Sequence, residues 1–550
     1  MTGAMRVQCA RAVTVCAPAA CRFALLFSAA TVIALMSGCV TPPRVLSPGE
    51  QQVIDRAEVE YPAGFELRRY VTNLTAPTAL AVEPDGSLLV AEGQADDEPR
   101  IIRIYRGGKQ ELFYPRGRKF PFNIAVTGWR MYGPIGGMAV YQNEVYVSHR
   151  DENGFGVITA LDDKGNHRTV VAQIPSQGDY GLSDLAIGPD GRLWFGVGTA
   201  TNSGVVGLDN WSAAWVARHP EVHDIPLHDT VLLGYRFNSP NPMAGLFSGA
   251  DLSVTGPFQP FGQAFQIRIP GARDGKPTGV ICSIAPQGGP IRIEAHGVHN
   301  PRGIAFDAFG AYFTDDGMEP RGTRPVLHDP DVLFRALPGQ PWYGWPDYTR
   351  DLNLVSDDTP QYQPPPDMIA NTGYPQVRPL IDEHASKLAA PVKEMLVTTF
   401  PWMSGAQKFQ FAPSDGPFSQ FAGSAIVALS GDRMPFSTSN RPLVGPGDYK
   451  IPNGYKIVIV DTTRNTIRDF IRNTRDLPAS KLSNPSPDLL ERPWDVKFAG
   501  DEAYILDFGR MHVKDGREHV DAGTGQIYRL VPVRPNRTSQ PATTQDAATQ

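Results

Sequence analysis

A short unit recurs along this chain and constrains its fold more than any other feature. Each copy has an apolar strand, a turn rich in Gly or Asp, and a second apolar or aromatic strand. In the clearest copy, Leu185–Ile187 and Leu193–Val197 flank the tetrapeptide Gly188-Pro189-Asp190-Gly191. Proline presets φ near −65° and glycine tolerates positive φ, so this tetrapeptide predicts a tight turn. Apolar runs on both sides of such a turn predict a β-hairpin.

The repeated hairpins predict a radial, all-β architecture. The copies lie at 78–92, 137–150, 179–204, 303–317, 424–432 (the weakest) and 496–509. Six copies predict a six-bladed β-propeller with long inserted loops, and five or seven blades stay open as alternatives. We expect residues 525–530 to close the last blade by joining a strand near Phe65, which would remove an open sheet edge. Sustained helical periodicity is scarce, so few helices are expected.

The first 38 residues are predicted to be a secretory signal rather than part of the fold. Phe23–Met36 is mostly apolar but short for a membrane span, and Leu35-Met36-Ser37-Gly38-Cys39 is similar to a bacterial lipobox. We therefore expect lipidation of Cys39 and a location at the bacterial cell envelope, with the lipid as the only membrane contact. An ordinary signal peptide cleaved nearby is the alternative. The predicted domains are a lipoprotein signal peptide (1–38), a tether (39–60), the propeller (61–533) and a disordered tail (534–550).

Charge and cysteine content exclude several classes of function. The net charge is −6, and it becomes −9 once Arg6, Arg11 and Arg22 are removed with the signal. The chain therefore lacks the excess of basic residues that is typical of nucleic-acid-binding proteins. Beside the lipidated Cys39, only Cys282 would remain, so no disulfide is expected in the propeller. No credible Walker loop, dinucleotide-binding glycine run or Gly-x-Ser-x-Gly motif is present.

Three motifs, in order along the chain, connect it to a known family. They are Gly188-Pro189-Asp190-Gly191-Arg192-Leu193, Asn300-Pro301-Arg302-Gly303 and Tyr343-Gly344-Trp345-Pro346. Together they resemble the glucose/sorbosone dehydrogenase family, the soluble-type sugar dehydrogenases that use pyrroloquinoline quinone (PQQ), over roughly residues 62–532. The resemblance implies a six-bladed propeller, PQQ and Ca²⁺ as cofactors, and PQQ-dependent oxidation of an aldose or a related sugar.

The resemblance also implies site residues, some of which depart from the family pattern. The family's catalytic His lies five residues before the Leu that opens the hairpin, here Leu185, and this chain has Tyr180 at that position. Tyrosine is a poor base at neutral pH. Where the family has Arg before Asn300 this chain has His299, which we expect to act as the substitute base. Asn300 is expected beside the cofactor, and Arg492 is expected to clamp the cofactor's negative charge.

Acidic residues of the fourth unit are the candidate Ca²⁺ ligands. Asp315 lies in a segment similar to the family's Thr-Asp-Asn-Gly, and Asp331 begins a segment where the family has Asp-Glu-Leu-Asn. Phe334 stands in place of that Asn and offers no oxygen ligand. A solvated blade turn is the alternative interpretation for Asp315.

Two further interpretations stay open. His219, His223 and His228 could bind a separate metal, although a polar loop is the preferred interpretation because prolines interrupt helical spacing between them. The departures at Tyr180 and His299 also fit a propeller that kept the fold and lost the redox chemistry, and that binds a glycan or a protein partner.

Overall fold

The clearest predicted hairpin forms. Its strands, Leu182–Ile187 and Leu193–Val197, pair antiparallel with Leu185 opposite Phe195. Gly191 closes the turn with a φ of 73°, a left-handed conformation that glycine adopts without strain. The computed structural model describes residues 42–94, 99–115, 129–242, 251–263, 265–369, 372–432, 453–514 and 517–533. The predicted signal, Cys39 and the predicted tail from 534 to 550 lie outside the described residues.

The described chain forms a six-bladed β-propeller, as predicted, with strands numbered here in chain order. Blade one comprises β4 (Ala79–Val82), β5 (Leu88–Glu92), β6 (Arg100–Ile104) and β7 (Gln110–Tyr114). Blade two comprises β8 (Tyr132–Tyr141), β9 (Glu144–Arg150), β10 (Gly156–Leu161) and β11 (His167–Ile174). Blade three comprises β12 (Leu182–Ile187), β13 (Leu193–Val197), β18 (Val280–Ile284) and β19 (Arg292–His296).

The other three blades complete the ring. Blade four comprises β20 (Asn300–Phe306), β21 (Ala311–Asp316), β22 (Pro330–Arg335) and β23 (Leu396–Trp402). Blade five comprises β24 (Ala406–Phe411), β25 (Ser424–Leu429), β26 (Lys456–Asp461) and β27 (Thr466–Asn473), and β2 (Val59–Glu60) extends it. Blade six comprises β28 (Pro493–Ala499), β29 (Glu502–Asp507), β32 (Gly525–Pro532) and β3 (Phe65–Leu74), and β1 (Arg44–Val45) extends it.

The N-terminal strand closes the ring as predicted. β3 pairs antiparallel with β32, so that Phe65 lies opposite Pro532 and Leu67 lies opposite Leu530. The last blade therefore takes its outer strand from the other end of the chain, which pairs an edge that would otherwise be open. Residues 42–60, within the predicted tether, include β1, β2 and the buried Ile54.

One of the six predicted hairpins is wrong. Ser424–Leu429 is a single strand, and no second strand follows directly at Gly431: it pairs with the preceding strand Ala406–Phe411 and with the later strand Lys456–Asp461. The inner strand was missed because Gln407 and Lys408 interrupt its apolar pattern with buried polar side chains.

Apolar side chains fill the spaces between neighbouring blades. Each of six buried clusters draws its members from two adjacent blades, for example Ile158 and Ile174 of blade two against Leu185 and Phe195 of blade three. Because the sheets bury both faces, their strands show only partial alternation of polar and apolar residues. The inner strands approach closely: a Cβ on Gly136 would lie 2.6 Å from the Ser183 carbonyl oxygen.

Long insertions within blades three and four carry most of the short elements. The helices are α1 (Leu208–Ser212), α2 (Trp215–Arg218), α3 (Pro366–Ile369) and α4 (Glu383–Ser386). The 3-10 turns are Pro360–Tyr362, Lys393–Met395, Gly416–Phe421 and Ala479–Lys481. Three two-stranded sheets pair β14 (Thr230–Val231) with β17 (Arg268–Ile269), β15 (Phe237–Pro240) with β16 (Leu252–Thr255), and β30 (Met511–Lys514) with β31 (Arg517–Val520). No helix among the described residues has the length and apolar character needed to cross a membrane.

Candidate functional site

A cavity of about 400 Å³ lies on the propeller axis. The inner strand of every blade, or the residue just before it, contributes to its wall, through Thr78, Gly136, Ser183, Asn300, Lys408 and Trp494. Loop residues complete the wall, and they include Arg150, Asp179, Asp209, Trp215, Arg218, Glu319 and Arg321. The volume lies in the range of ~300–1,000 Å³ that is usual for small-molecule sites.

Arg321 organises one side of this cavity. Its guanidinium lies 2.9 Å from Asp179 Oδ2 and 2.7 Å from Asp209 Oδ2, and it also pairs with Glu319. Asp179 is held further by Trp215, whose Nε1 donates to Oδ1 at 2.6 Å. One arginine therefore faces three carboxylates, which leaves an excess of negative charge on this side.

Tyr180 lies in this network and lines the cavity. Its hydroxyl oxygen accepts a hydrogen bond from Arg321 Nη2 at 3.0 Å and donates to Glu319 Oε2 at 3.4 Å. Burial, and then the charge of Glu319, raises the pKa of Tyr180 well above its ordinary value near 10. The hydroxyl is therefore protonated at neutral pH and does not serve as a base.

His299 lies behind Tyr180, and it does not line the cavity. Its ring meets that of Tyr180 edge to face at 4.8 Å. Its Nδ1 lies 2.9 Å from the Asp316 carbonyl oxygen and therefore carries the proton, and within the described chain Nε2 has no hydrogen-bond partner. Burial lowers the pKa of His299 well below its ordinary value. His299 is thus a neutral imidazole that is 0% exposed.

Asn300 belongs to a basic side of the cavity. Its Nδ2 donates to Asp316 Oδ2 at 2.7 Å, and Arg302 Nε donates to the same oxygen at 2.9 Å. Lys408 Nζ donates to the Thr78 carbonyl oxygen at 2.6 Å. Asn300, Arg302 and Lys408 all line the cavity, so two cationic side chains and one amide share this wall.

Arg492 is directed elsewhere. Its Nη1 donates to the carbonyl oxygens of Ser430 at 3.1 Å and Asp432 at 2.7 Å, and its guanidinium lies 5.1 Å from the centre of the Tyr455 ring. It does not line the axial cavity. The structure therefore brings Tyr180, His299 and Asn300 together and leaves Arg492 apart from them.

The two predicted calcium ligands are buried carboxylates with several donors each. Asp315 accepts hydrogen bonds from the backbone N–H groups of His299 and Asn300 and from Arg350 Nη1 at 2.9 Å. Asp331 accepts from Gly317, Ser404, Gly405 and Ala406. Burial raises the pKa of Asp315 to about 6 and that of Asp331 to about 8.

These carboxylates do not fit the role of calcium ligands, because their oxygens already serve as acceptors inside the fold. Among the residues that the structure describes, no group of three or more His, Cys, Asp or Glu side chains could hold a metal ion. The histidines of the loop after β13 form no such group either. His223 Nδ1 lies 2.9 Å from the Asp224 carbonyl oxygen, and the centre of the His228 ring lies 5.4 Å from that of His296.

Sequence reasoning missed Asp209, Arg321 and Arg150, which also line the cavity. A signal for Arg321 was present, because Glu319-Pro320-Arg321-Gly322 resembles the earlier Asn300-Pro301-Arg302-Gly303 and lies one strand further on. Asp209 lies in helix α1, Arg150 ends strand β9, and neither residue belongs to a motif.

The chain is similar in fold to solved structures whose names describe carbohydrate-active enzymes. The PQQ domain of a pyranose dehydrogenase from Coprinopsis cinerea, in its holo form, is 15% identical, with a TM-score of 0.49, over 88% of this chain and 100% of that one. A PQQ-bound aldose sugar dehydrogenase from Streptomyces coelicolor is 15% identical, with a TM-score of 0.43, over 86% and 99%. The calcium structure of a Trichoderma reesei carbohydrate-active enzyme of family AA12 is 14% identical, with a TM-score of 0.48, over 89% and 100%.

No protein-family model matches the chain, and no curated protein matches it either. Two of these solved structures are named as PQQ-containing sugar dehydrogenases, the class that the three sequence motifs resemble. Since their TM-scores lie below 0.5, the fold is established by the strand pairing described above, and function is argued from the residues of the cavity.

Proposed function

We propose that this chain is a PQQ-dependent sugar dehydrogenase of the bacterial cell envelope. The observation that carries the proposal is the two-sided axial cavity, in which Arg302 and Lys408 lie with Asn300, while Asp179, Asp209 and Glu319 surround Arg321. Carboxylates accept hydrogen bonds from sugar hydroxyls, and cationic side chains bind the carboxylates of an anionic cofactor. One cavity therefore offers complementary groups to both molecules.

PQQ fits the basic side of the cavity. When it is bound, PQQ supplies a quinone that accepts the hydride from an alcohol carbon. Arg302 and Lys408 would hold its carboxylates by charge, and Asn300 would orient it by hydrogen bonding. The oxygens of Asp315 and Asp331 already accept hydrogen bonds within the fold, so we assign neither residue a role in the reaction.

Asp209 is the proposed acceptor of the sugar hydroxyl proton. The residue lines the cavity and is 8% exposed, and its buried Oδ1 has no hydrogen-bond partner among the described residues. Burial raises the pKa of Asp209 to about 6, although the charge of Arg321 opposes that shift. A general base works best when its pKa is close to the working pH. The pKa of Tyr180 lies well above its ordinary value and that of His299 lies well below its ordinary value, so neither residue meets this condition.

Reconstitution tests the proposal. We would titrate the purified protein with PQQ, with and without Ca²⁺, by calorimetry, and then measure dye reduction with a panel of aldoses. We expect PQQ binding and sugar-dependent reduction. Arg302→Gln should weaken PQQ binding, whereas Arg464→Gln, on an exposed turn, should leave it unchanged. Absence of PQQ binding to the folded protein would refute the proposal.

The proposed role of Asp209 as the base predicts how kcat depends on pH. A base must be deprotonated to act, so kcat should fall as the pH drops through about 6. Asp209→Asn should lower kcat by ~10²–10⁴-fold, the usual contribution of a general base. Glu319→Gln is the matched control on the other side of Arg321, and we expect a smaller loss. Equal losses in the two variants would contradict the assignment.

A binding propeller without redox chemistry is the second candidate. It is favoured by Tyr180, whose protonated hydroxyl is bound between Arg321 and Glu319 where the related enzymes have a His base. Sugar or glycan binding to the purified protein, together with no PQQ binding and no dye reduction, would select this candidate.

The envelope location rests on the lipobox-like sequence before Cys39. We expect Cys39 to carry the lipid anchor, so Cys39→Ser should move the protein from the membrane fraction to the soluble fraction of the cell. Cys282→Ala, within the propeller, is the control and should leave the protein in the membrane fraction. An unchanged distribution of the Cys39→Ser variant would refute the anchor.

A further inference from the structure

The axial cavity has an additional basic patch, formed by Arg150 and Arg218, that the proposed chemistry does not use. Arg150 ends strand β9, and Arg218 ends helix α2 in the insertion between β13 and β18 of blade three. Both side chains line the cavity, and both come from elements outside the inner strands. The fold thus places two cations, one from a strand and one from a helix, against the same cavity.

No carboxylate neutralises this pair within the described part of the chain. Every other cation on the cavity wall has an acidic neighbour: Arg321 pairs with Asp179, Asp209 and Glu319, Arg302 pairs with Asp316, and Lys408 lies 3.6 Å from Asp184 Oδ1. Neither Arg150 nor Arg218 forms an ion pair with a described residue, although Arg150 is only partly exposed.

The pair is electrostatically unfavourable as it stands. Burial, and then the neighbouring positive charge of Arg218, lowers the pKa of Arg150 to about 10. A guanidinium that is removed from water next to a like charge costs free energy unless an anion compensates it. Guanidinium groups bind carboxylate and phosphate oxygens strongly because they present paired N–H donors.

We propose that the cavity takes a sugar that carries an oxyanion, a carboxylate or a phosphate, with the anionic group bound by Arg150 and Arg218. The sugar hydroxyls would face the carboxylates around Arg321, which accept hydrogen bonds. The inference rests on the proposed function for its sugar substrate, and it narrows that substrate to sugar acids or sugar phosphates. Trp215 lies in the same helix as Arg218 and donates a hydrogen bond to Asp179. It lines the cavity and offers an apolar ring to the sugar.

A binding experiment without PQQ tests this directly. The full protein would be titrated by calorimetry with D-glucuronate, D-glucose 6-phosphate and D-glucose. We expect one of the two anionic sugars to bind at least about tenfold more tightly than glucose, which corresponds to one charge-assisted interaction. Which of the two binds more tightly distinguishes carboxylate from phosphate. Equal affinity for all three sugars would overturn the inference.

Variants assign the effect to the arginines. Arg218→Gln changes an exposed residue and should remove most of the preference for the anionic sugar, and so should Arg150→Gln. Arg464→Gln removes an equal charge from a distant turn and should preserve the preference. If Arg218→Gln keeps the full preference while the protein stays folded, the arginine pair is not the anion site.

A PQQ titration separates the inference from the proposed function. If the anionic sugar binds in an arginine-dependent way and no PQQ binds, the inference stands and the dehydrogenase proposal fails. If Arg150→Gln and Arg218→Gln weaken PQQ binding but not sugar binding, the pair holds the cofactor, which overturns the inference. Dye reduction that is equally fast with glucose and with glucuronate would also overturn it.

Discussion

Replacing Arg321 with glutamine tests the electrostatic account of the cavity most directly. Its guanidinium is 8% exposed and lies 2.9 Å from Asp179 and 2.7 Å from Asp209, with Glu319 and Tyr180 as further partners. Removing one partner of a buried ion pair costs about 3–5 kcal/mol, because the remaining charges lose their compensation. We expect the variant to lose that much free energy of unfolding at pH 7.

The same variant should regain stability in acid. The charge of Arg321 opposes the effect of burial on Asp209, so without it the pKa of Asp209 rises further and the folded variant binds more protons than its unfolded chain does. The free energy of unfolding then falls as the pH rises, by about 1.4 kcal/mol per pH unit for each extra proton. If Asp209 stays protonated from pH 5 to pH 7 in the variant, while it titrates at about pH 6 in the native protein, the deficit relative to the native protein is smaller at pH 5 by about 1.4 kcal/mol.

Urea unfolding followed by tryptophan fluorescence at pH 5 and pH 7 measures both effects. Arg464→Gln is the control, because its side chain is 79% exposed and its substitution should leave the free energy of unfolding unchanged at both pH values. A loss in Arg321→Gln below ~1 kcal/mol at pH 7 would refute the buried network. The same loss at both pH values would show that the pKa of Asp209 does not depend on Arg321.

Three further substitutions test neighbouring parts of the site. Tyr180→Phe should change kcat for dye reduction by less than about tenfold, because a protonated hydroxyl is not the base; a ~10²-fold loss or more would restore Tyr180 to that role. Asp315→Ala should lower the free energy of unfolding by about 3–5 kcal/mol, since it leaves Arg350 buried without its partner. Urea unfolding measures this loss, and a clearly smaller loss would contradict the importance of the pair. Gly198→Ala would place a Cβ 2.5 Å from that of Tyr180 and 3.3 Å from Asn300 Oδ1, so calorimetry should show weaker PQQ binding in a folded protein.

The sequence was informative about the fold wherever a blade is built from local signals. The hairpin around Gly191 and the closure by Phe65–Leu74 were predictable, because turn residues and apolar strands are adjacent in the chain. Blade five was not, since its inner strand carries Gln407 and Lys408. Those residues are polar because they face neighbours near the axis, and a residue-by-residue pattern cannot distinguish such a strand from a loop.

The candidate site was predictable only where a motif marks it. Tyr180 and Asn300 lie on motif positions and do line the cavity, whereas Arg492 was assigned from a three-residue motif and bonds to loop carbonyls instead. Arg150 ends strand β9 of blade two, and Asp209 lies in helix α1, in the insertion within blade three. Their proximity is a product of tertiary structure, so nothing in the spacing of the sequence indicates it.

The chemistry at position 180 and the charges around it depend on each other. A tyrosine hydroxyl can accept a hydrogen bond from Arg321 while it donates one to Glu319, and both bonds form here. A neutral imidazole also has one donor and one acceptor nitrogen, but a nitrogen that accepts from Arg321 is no longer available to take a proton from a sugar. The guanidinium that satisfies Tyr180 would therefore disable a histidine in its place. If the cavity oxidises a sugar, its base must lie among the carboxylates, and Asp209 is the one whose pKa of about 6 suits that task.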